Sequence, residues 1–171
     1  NNVLQIKDSE TKAIVWRTLW DMVRDQEIPA SEFFELAFPA LEKEQDYQMV
    51  STLRGRVSSV IGYTVDKEKK DALYQRLYDL AKAKLKVVKP GTDIQRLWYG
   101  ALRSSTNTPE QYQYLTDLYD GKKSIEGIEM TNSRKWSILF SLSAIDRQDL
   151  VEPRLAKLSE EDKSARGKNS K

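Results

Sequence analysis

The chain of 171 residues contains no cysteine and no histidine. It can therefore form no disulfide, no zinc site built on cysteine or histidine, and no serine–histidine or cysteine–histidine pair. Acid–base catalysis would fall to carboxylates, lysine or tyrosine alone. These two absences exclude the commonest catalytic and metal centres from this chain.

Long apolar runs and a strong net charge are also lacking. No apolar stretch approaches the length of about 18 residues that a membrane-spanning helix needs. Charged residues make up 32% of the chain and hydrophobic residues 39%, which is typical of a globular protein. Because the formal net charge is only +2, the composition requires neither nucleic acid nor an anionic membrane as a partner. We expect one globular domain over residues 1–171, with no membrane segment and no nucleic-acid partner.

Helix start and stop signals are frequent, whereas alternating apolar and polar stretches that would indicate strands are almost absent. The first predicted helix runs from about Ser9 to Asp25, capped by Asp8 or Ser9, and has an apolar stripe wide enough for burial on two sides. Seven further helices are predicted to begin near Ser31, Asp46, Asp66, Thr92, Thr108, Thr131 and Val151.

Prolines and glycines set the expected limits of several helices. Pro39 is expected to kink or end the second helix, and Pro153 to confine the eighth helix mostly to the residues that follow it. Gly62 and Gly121 are expected to end the third and sixth helices. Pro109 suits the first turn of the sixth helix.

Three helical stretches share a tryptophan at their second position: "VWRTLWDMV", "LWYGALRSS" and "KWSILFSLS". The shared residues, Trp16, Trp98 and Trp136, recur at intervals near one or two units of about 40 residues, the length of a HEAT-like repeat. The predicted fold is therefore all-α, with antiparallel helix pairs stacked as a HEAT/armadillo-like α-solenoid. These tryptophans and Trp20 are interpreted as core residues, and Phe140 is expected to point inward with Trp136.

Carboxylate clusters are the first candidates for chemistry. Asp21 and Asp25 lie one turn apart, and Glu160, Glu161 and Asp162 follow one another. None is flanked by apolar residues that would raise its pKa, so a solvated face is the favoured interpretation. The glycines form no phosphate-binding loop. The sequence assigns no catalytic, cofactor-binding or metal-binding residue.

Basic and tyrosine-rich stretches are the remaining candidates for a binding surface. Lys82, Lys86 and Lys89 fall near one helical face and suit either phosphate binding or, as we favour, the end of a helix. A second set contains tyrosines that suit either a groove for an extended peptide or stacked bases or, as we favour, half-buried packing. Its members are Tyr74, Tyr78, Tyr112, Tyr114 and Tyr119.

Two long stretches carry a family resemblance. The stretch "VWRTLWDMVRDQEIPASEFFELAFPALEKEQDYQMVSTLRGRV" resembles the C-terminal helical domain of the aminopeptidase N family, in which a tryptophan-rich helix precedes an "RD-x-E-x-P-A" turn. "TNSRKWSILFSLSAID" is similar to the family's capped "RW-x-x-L-x-x-L" helix, and "SEEDKSARGKNSK" to a following linker. The similarity runs in order over roughly residues 10 to 168, and to bacterial members in particular.

The resemblance implies a non-catalytic fragment of a zinc-dependent aminopeptidase that removes N-terminal residues from peptides. In the family, the zinc ligands and the catalytic residues lie in an upstream domain, so zinc is expected there and none in this chain. The implied partners are that catalytic domain and a peptide substrate, over which the helical domain closes as a bowl. Self-association of the fragment is also expected, because its missing neighbours would leave apolar patches exposed.

Two other functions remain open from the residues alone. One is a free-standing helical-repeat scaffold that binds a protein or nucleic acid along a concave face. The other is a small enzyme that uses carboxylates and tyrosine, although no arranged set of such groups is visible in the sequence.

Overall fold

Eight α-helices contain most of the residues that the structure describes. The computed structural model describes residues 2–6, 8–63 and 66–162. A short 3-10 helix, Asn2–Gln5, is followed by α1 (Ser9–Arg24), α2 (Ala30–Lys43), α3 (Tyr47–Tyr63), α4 (Lys67–Leu85), α5 (Asp93–Ser104), α6 (Pro109–Tyr119), α7 (Asn132–Ser143) and α8 (Gln148–Glu161). Within these residues the only β-type pairing is an isolated bridge between Ile125 and Ile128. The predicted all-α class is confirmed.

The chain divides into two compact units, Asn1–Lys84 and Leu85–Lys171. In the first unit α1 packs against both α2 and α3, as its wide apolar stripe predicts, and α2 packs against α3. In the second unit α7 packs against α5, α6 and α8. Packing between consecutive helices is compatible with the predicted solenoid.

Side-chain caps fix the starts of six helices, because Asp46 and Asp66 accept the N–H groups of Met49 and Lys69 at the starts of α3 and α4, and four further caps act in the same way. Asp8 Oδ2 accepts the N–H of Thr11 at 2.7 Å and caps α1. The hydroxyl groups of Thr92, Thr108 and Thr131 each accept a backbone N–H three residues further on. At α6 the side chain of Gln111 also accepts the N–H of Thr108, which completes a capping box. These starts agree with the sequence prediction.

Prolines limit the helices less than predicted. α2 begins at Ala30, with Pro29 rather than Ser31 as its N-cap, and continues through Pro39 to Lys43. α8 begins at Gln148, before Pro153, so the prediction that Pro153 confines this helix was wrong. Each proline removes one helical hydrogen bond. The buried side chain of Leu41, two residues after Pro39, holds α2 in place, and that of Val151, two residues before Pro153, holds α8 in place.

Tryptophan dominates the core as predicted, with one exception. Trp16, Trp98 and Trp136 are at most 2% exposed, whereas Trp20 is half-buried. The prediction that Phe140 points inward was wrong, since its side chain is 53% exposed. The Phe140 ring instead lies beside the ring of Trp136, with the centroids 6.2 Å apart and the planes inclined by 30°.

Candidate functional site

No catalytic or metal-binding cluster appears in the described part of the chain. Residues 2–6, 8–63 and 66–162 contain no group of three histidine, cysteine, aspartate or glutamate side chains that could hold a metal ion. Among the same residues, no helix is both long and apolar enough to cross a membrane. The remaining candidates are therefore surfaces and cavities that bind.

The first pair of carboxylates is engaged by arginine. Arg24 contacts Asp21 at 3.1 Å and Asp25 at 3.0 Å. The hydrogen bond from Arg24 lowers the pKa of the exposed Asp25 carboxyl, which stays ionised at neutral pH. Asp25 therefore lacks the raised pKa of a general acid.

Asp162 differs from its two acidic neighbours. Glu160 and Glu161 are exposed, whereas Asp162 is only 6% exposed and its Oδ2 accepts the indole N–H of Trp136 at 2.7 Å. The prediction of a solvated face was wrong for this residue. The sequence does carry a signal for it, because Asp162 lies one helical turn after the buried Leu158 and so shares its face.

The basic run does not form a single helical face. α4 ends at Leu85, so Lys86 and Lys89 lie beyond the helix that carries Lys82. The Lys82 ammonium group lies 5.7 Å from the centroid of the Tyr78 ring, and Lys84 donates to the carbonyl of Glu42. Both contacts fit the favoured interpretation of this run as the end of a helix.

The tyrosines pack within their units. Tyr78 and Tyr119 are buried, and Tyr74, Tyr112 and Tyr114 are half-buried. The Tyr119 hydroxyl donates to the carbonyl of Arg154 at 3.1 Å, and burial raises the pKa of Tyr119 to about 12. Half-buried packing therefore describes these side chains better than an open stacking groove.

A cavity of about 750 Å³ opens in the first unit where α1 turns into α2. After α1 ends, the N–H groups of Glu27 and Ile28 both donate to the carbonyl of Met22, and Gln26 takes a left-handed φ of 62°. This turn is the "RD-x-E-x-P-A" motif, and it forms one side of the cavity. The lining residues are Trp20, Val23, Arg24, Gln26, Glu27, Ile28, Pro29, Ala30, Val60 and Tyr63.

Two of the residues that line this cavity form an aromatic pair. Trp20 and Tyr63 lie with their ring centroids 6.5 Å apart and their planes inclined by 30°. Tyr63 is 76% exposed, so its ring is available to a ligand without any rearrangement of the core. An apolar cavity with an accessible aromatic pair suits an apolar or aromatic group of a ligand.

A second, polar cavity of about 400 Å³ lies in the second unit beside Tyr119 and Lys157. Arg154 binds Asp120 through two hydrogen bonds, of 3.0 and 2.6 Å, and these lower the pKa of the Asp120 carboxyl. Lys135 lies 5.4 Å from the centroid of the Tyr119 ring. Since its carboxylates are paired with cations, this cavity has the character of a structural ion-pair network.

Comparison with known proteins identifies the family. Residues 1–170 match the sequence profile of the ERAP1-like C-terminal domain. A relative named Aminopeptidase N, from Streptomyces lividans, is 31% identical over 160 residues, which cover 94% of this chain and 18% of the relative. The chain thus spans less than a fifth of that relative's length. It belongs to the ERAP1-like C-terminal domain family, and the predicted resemblance to the C-terminal domain of the aminopeptidase N family is confirmed.

Proposed function

We propose that this chain is a non-catalytic segment of the C-terminal domain of a zinc-dependent aminopeptidase that removes N-terminal residues from peptides. The observation that carries the proposal is the family match over residues 1–170, together with the relative named Aminopeptidase N. Because the chain spans only 18% of that relative, the catalytic groups are assigned to another part of the parent protein.

The donor set of the chain does not fit a catalytic zinc. Protein zinc sites are built from cysteine, histidine and carboxylate ligands, and the sequence contains neither of the first two. The described residues also bring together no three acidic side chains. Zinc therefore belongs to the parent's catalytic domain in this proposal, and no residue of this chain acts on it.

The proposed role is to shape and cover access to the parent's active site, with the catalytic domain and the peptide substrate as partners. The cavity lined by Trp20 and Tyr63 supports this role, because it offers an accessible aromatic surface to an apolar side chain of a peptide. Binding energy from such a remote contact can position a long substrate without touching the bond that is cleaved.

The assignment to an aminopeptidase is tested by identifying the native polypeptide. An antibody against this chain should detect a protein several times heavier than 19.8 kDa that co-purifies with zinc-dependent aminopeptidase activity. The isolated chain should release no product from an amino-acid 4-nitroanilide, with or without added zinc. A native band near 19.8 kDa, or zinc-dependent activity of the chain itself, would overturn the proposal.

The access role is tested separately in the parent enzyme by replacing Tyr63 with alanine. We expect a higher KM for peptides of several residues and an unchanged KM for a single-residue 4-nitroanilide, because only a long substrate reaches a remote contact. Tyr47→Ala is the matched control, since Tyr47 is also exposed but does not line the cavity. Equal effects of the two variants on long peptides would count against the role of this cavity alone.

A further inference from the structure

Arg103 is held between two helices of the second unit without a carboxylate partner. Its Nη1 group donates to the carbonyl of Ser137 at 3.0 Å and to the hydroxyl of Ser141, so α5 is joined to α7. No carboxylate among the described residues pairs with its guanidinium group. Burial lowers the pKa of Arg103, as expected for a cation that has lost water without gaining a counter-ion.

Part of this guanidinium group remains available for binding. Nε and Nη2 donate to no described residue, and neither nitrogen is sealed from solvent. Arginine stays charged under all ordinary conditions and presents its donors as a planar fork that matches a carboxylate. The unused donors therefore offer a charge-assisted contact to an anion.

Arg103 lines a cavity of about 200 Å³ at the C-terminal ends of α5 and α7. The other lining residues include no acid and are mostly apolar: Ser104, Thr106, Tyr112, Leu115, Ser141, Leu142, Ala144 and Ile145. Arg147 lies 5.3 Å from the Tyr112 ring, but its charge is paired with Asp149 at 2.7 Å. Among the described residues at this cavity, Arg103 is thus the one whose charge has no carboxylate partner.

A second polar group behind Arg103 is also without a partner. Tyr99 lies one helical turn before Arg103, is 5% exposed, and its hydroxyl makes no hydrogen bond with any described residue. Burial raises the pKa of Tyr99, and the charges of Arg103 and Arg134 offset part of that rise. This face of α5 therefore carries positive charge and an unused hydroxyl group, and no acid of the described residues acts on either group.

We propose that the Arg103 cavity binds a small free carboxylate that carries a short aliphatic group. The carboxylate pairs with the unused donors of Arg103, and the aliphatic group lies against Leu115, Leu142 and Ile145. The size fits, because a cavity of about 150 Å³ holds benzene, whereas drug-sized ligands need about 300 Å³ or more. This site is independent of the aminopeptidase assignment.

The test is an NMR titration of the full 171-residue chain, labelled with ¹⁵N, using 3-methylbutanoate as the probe. We expect saturable shifts of the amides around the cavity and no comparable binding of the neutral 3-methylbutanamide. Arg103→Met should weaken binding at least about tenfold, because it removes the charge-assisted hydrogen bonds. Arg96→Met is the matched control, since Arg96 is on the same helix but is exposed and paired with Asp93.

A second variant keeps the test valid if Arg103→Met unfolds the chain. Ala144→Leu retains Arg103 but fills the cavity from an exposed position, so it should abolish binding without loss of the fold. Equal binding of the amide, or full binding by Arg103→Met or Ala144→Leu, would overturn the proposal. So would the absence of 3-methylbutanoate binding to the wild-type chain.

Discussion

At the residue scale, the buried contact between Asp162 and Trp136 joins the end of α8 to α7. The indole N–H donates to Asp162 Oδ2 at 2.7 Å, which is its one hydrogen bond within the described residues. Asp162→Ala should lower the free energy of unfolding by about 1–3 kcal/mol, because it leaves a buried donor without an acceptor. Urea unfolding followed by tryptophan fluorescence measures the change.

Two further variants separate this contact from a general effect of charge. Asp162→Asn keeps an oxygen that can accept the indole N–H, so its loss should be smaller than that of Asp162→Ala. Glu161→Ala removes the same charge one residue earlier from an exposed site, 3.9 Å from Lys157, and should change stability by no more than about 0.5 kcal/mol. A loss in Glu161→Ala equal to that in Asp162→Ala would show that the hydrogen bond is not responsible.

Gly127 lies where the backbone approaches another segment of the same unit. Its φ is +79°, and a Cβ atom there would lie 2.3 Å from the Gly91 nitrogen and 2.6 Å from Gln95 Oε1. The Gln95 amide bridges this approach by accepting the Gly91 N–H at 2.8 Å and donating to the Glu126 carbonyl at 2.6 Å. Both the backbone conformation and the space therefore require glycine at this position.

Gly121 provides a control for Gly127 because it shares the conformation without the crowding. Its φ is +73°, and nothing lies within 4 Å of a Cβ atom built there. Gly121→Ala should cost about 1–2 kcal/mol for the left-handed conformation alone. Gly127→Ala should cost about 1–3 kcal/mol more, since the added methyl group forces the backbone apart. Equal urea midpoints for the two variants would contradict the close approach.

At the scale of elements, replacing the proline of α6 or that of α8 with alanine should change the stability of the chain in opposite directions. Pro153 lies inside α8 and is exposed, so Pro153→Ala restores a helical N–H at little loss of packing. We expect the free energy of unfolding to rise by about 1–3 kcal/mol. This gain is the cost of proline inside a helix, reduced because alanine gives the unfolded chain more conformational entropy than proline does. Pro109 occupies the first position of α6, where Pro109→Ala should instead destabilise by about 0.4–1 kcal/mol. Thermal unfolding of both variants shows whether the midpoint temperature rises, as expected for Pro153→Ala, or falls, as expected for Pro109→Ala.

The sequence predicts helix starts better than helix limits set by proline, for a physical reason. A cap such as Thr108 depends on residues three positions apart, so the sequence contains the whole interaction. Whether a helix continues past Pro39 depends on the tertiary packing of its next turn, which no local pattern contains. Phe140 shows the same limit, because its apolar spacing fits the core while its ring lies beside Trp136 at the surface.

The candidate sites were less predictable than the fold. The motif around Pro29 indicated the family, but the sequence did not show that its turn forms one side of a cavity with Trp20 and Tyr63. The sequence contains no signal for Arg103, because what makes this side chain a candidate is that no carboxylate of the described residues pairs with it. Such an absence becomes visible only when the neighbours of a side chain are known.

At the scale of the whole molecule, the absence of histidine should give stability a flat dependence on pH near neutrality. No side-chain type in this chain ordinarily titrates between about pH 5 and pH 9. Several carboxyl groups have a lowered pKa in the fold, among them Asp120, through its hydrogen bonds with Arg154. Their contribution is present above the pKa of the unfolded chain and is lost as the pH falls through the folded pKa. For Tyr119, whose pKa is raised to about 12, the contribution is instead lost as the pH rises from about 10 to 12.

The expected loss of stability at acidic pH can be tested at a single group, the carboxyl of Glu44. Burial acts to raise the pKa of Glu44, but the Lys12 ammonium group at 2.9 Å and the backbone N–H groups of Gln45 and Asp46 lower it overall. Glu44→Gln should therefore cost about 1–2 kcal/mol at pH 7, and progressively less as the pH falls through the lowered pKa of Glu44 and the wild-type carboxylate becomes protonated as well. Glu42→Gln is the control, since Glu42 is exposed in the last turn of α2, two residues before Glu44, and the urea midpoint of this variant should follow that of the wild type throughout. A Glu44→Gln penalty that persists unchanged at pH 3, or a wild-type midpoint that slopes between pH 5.5 and pH 8, would contradict this account of how charge stabilises the fold.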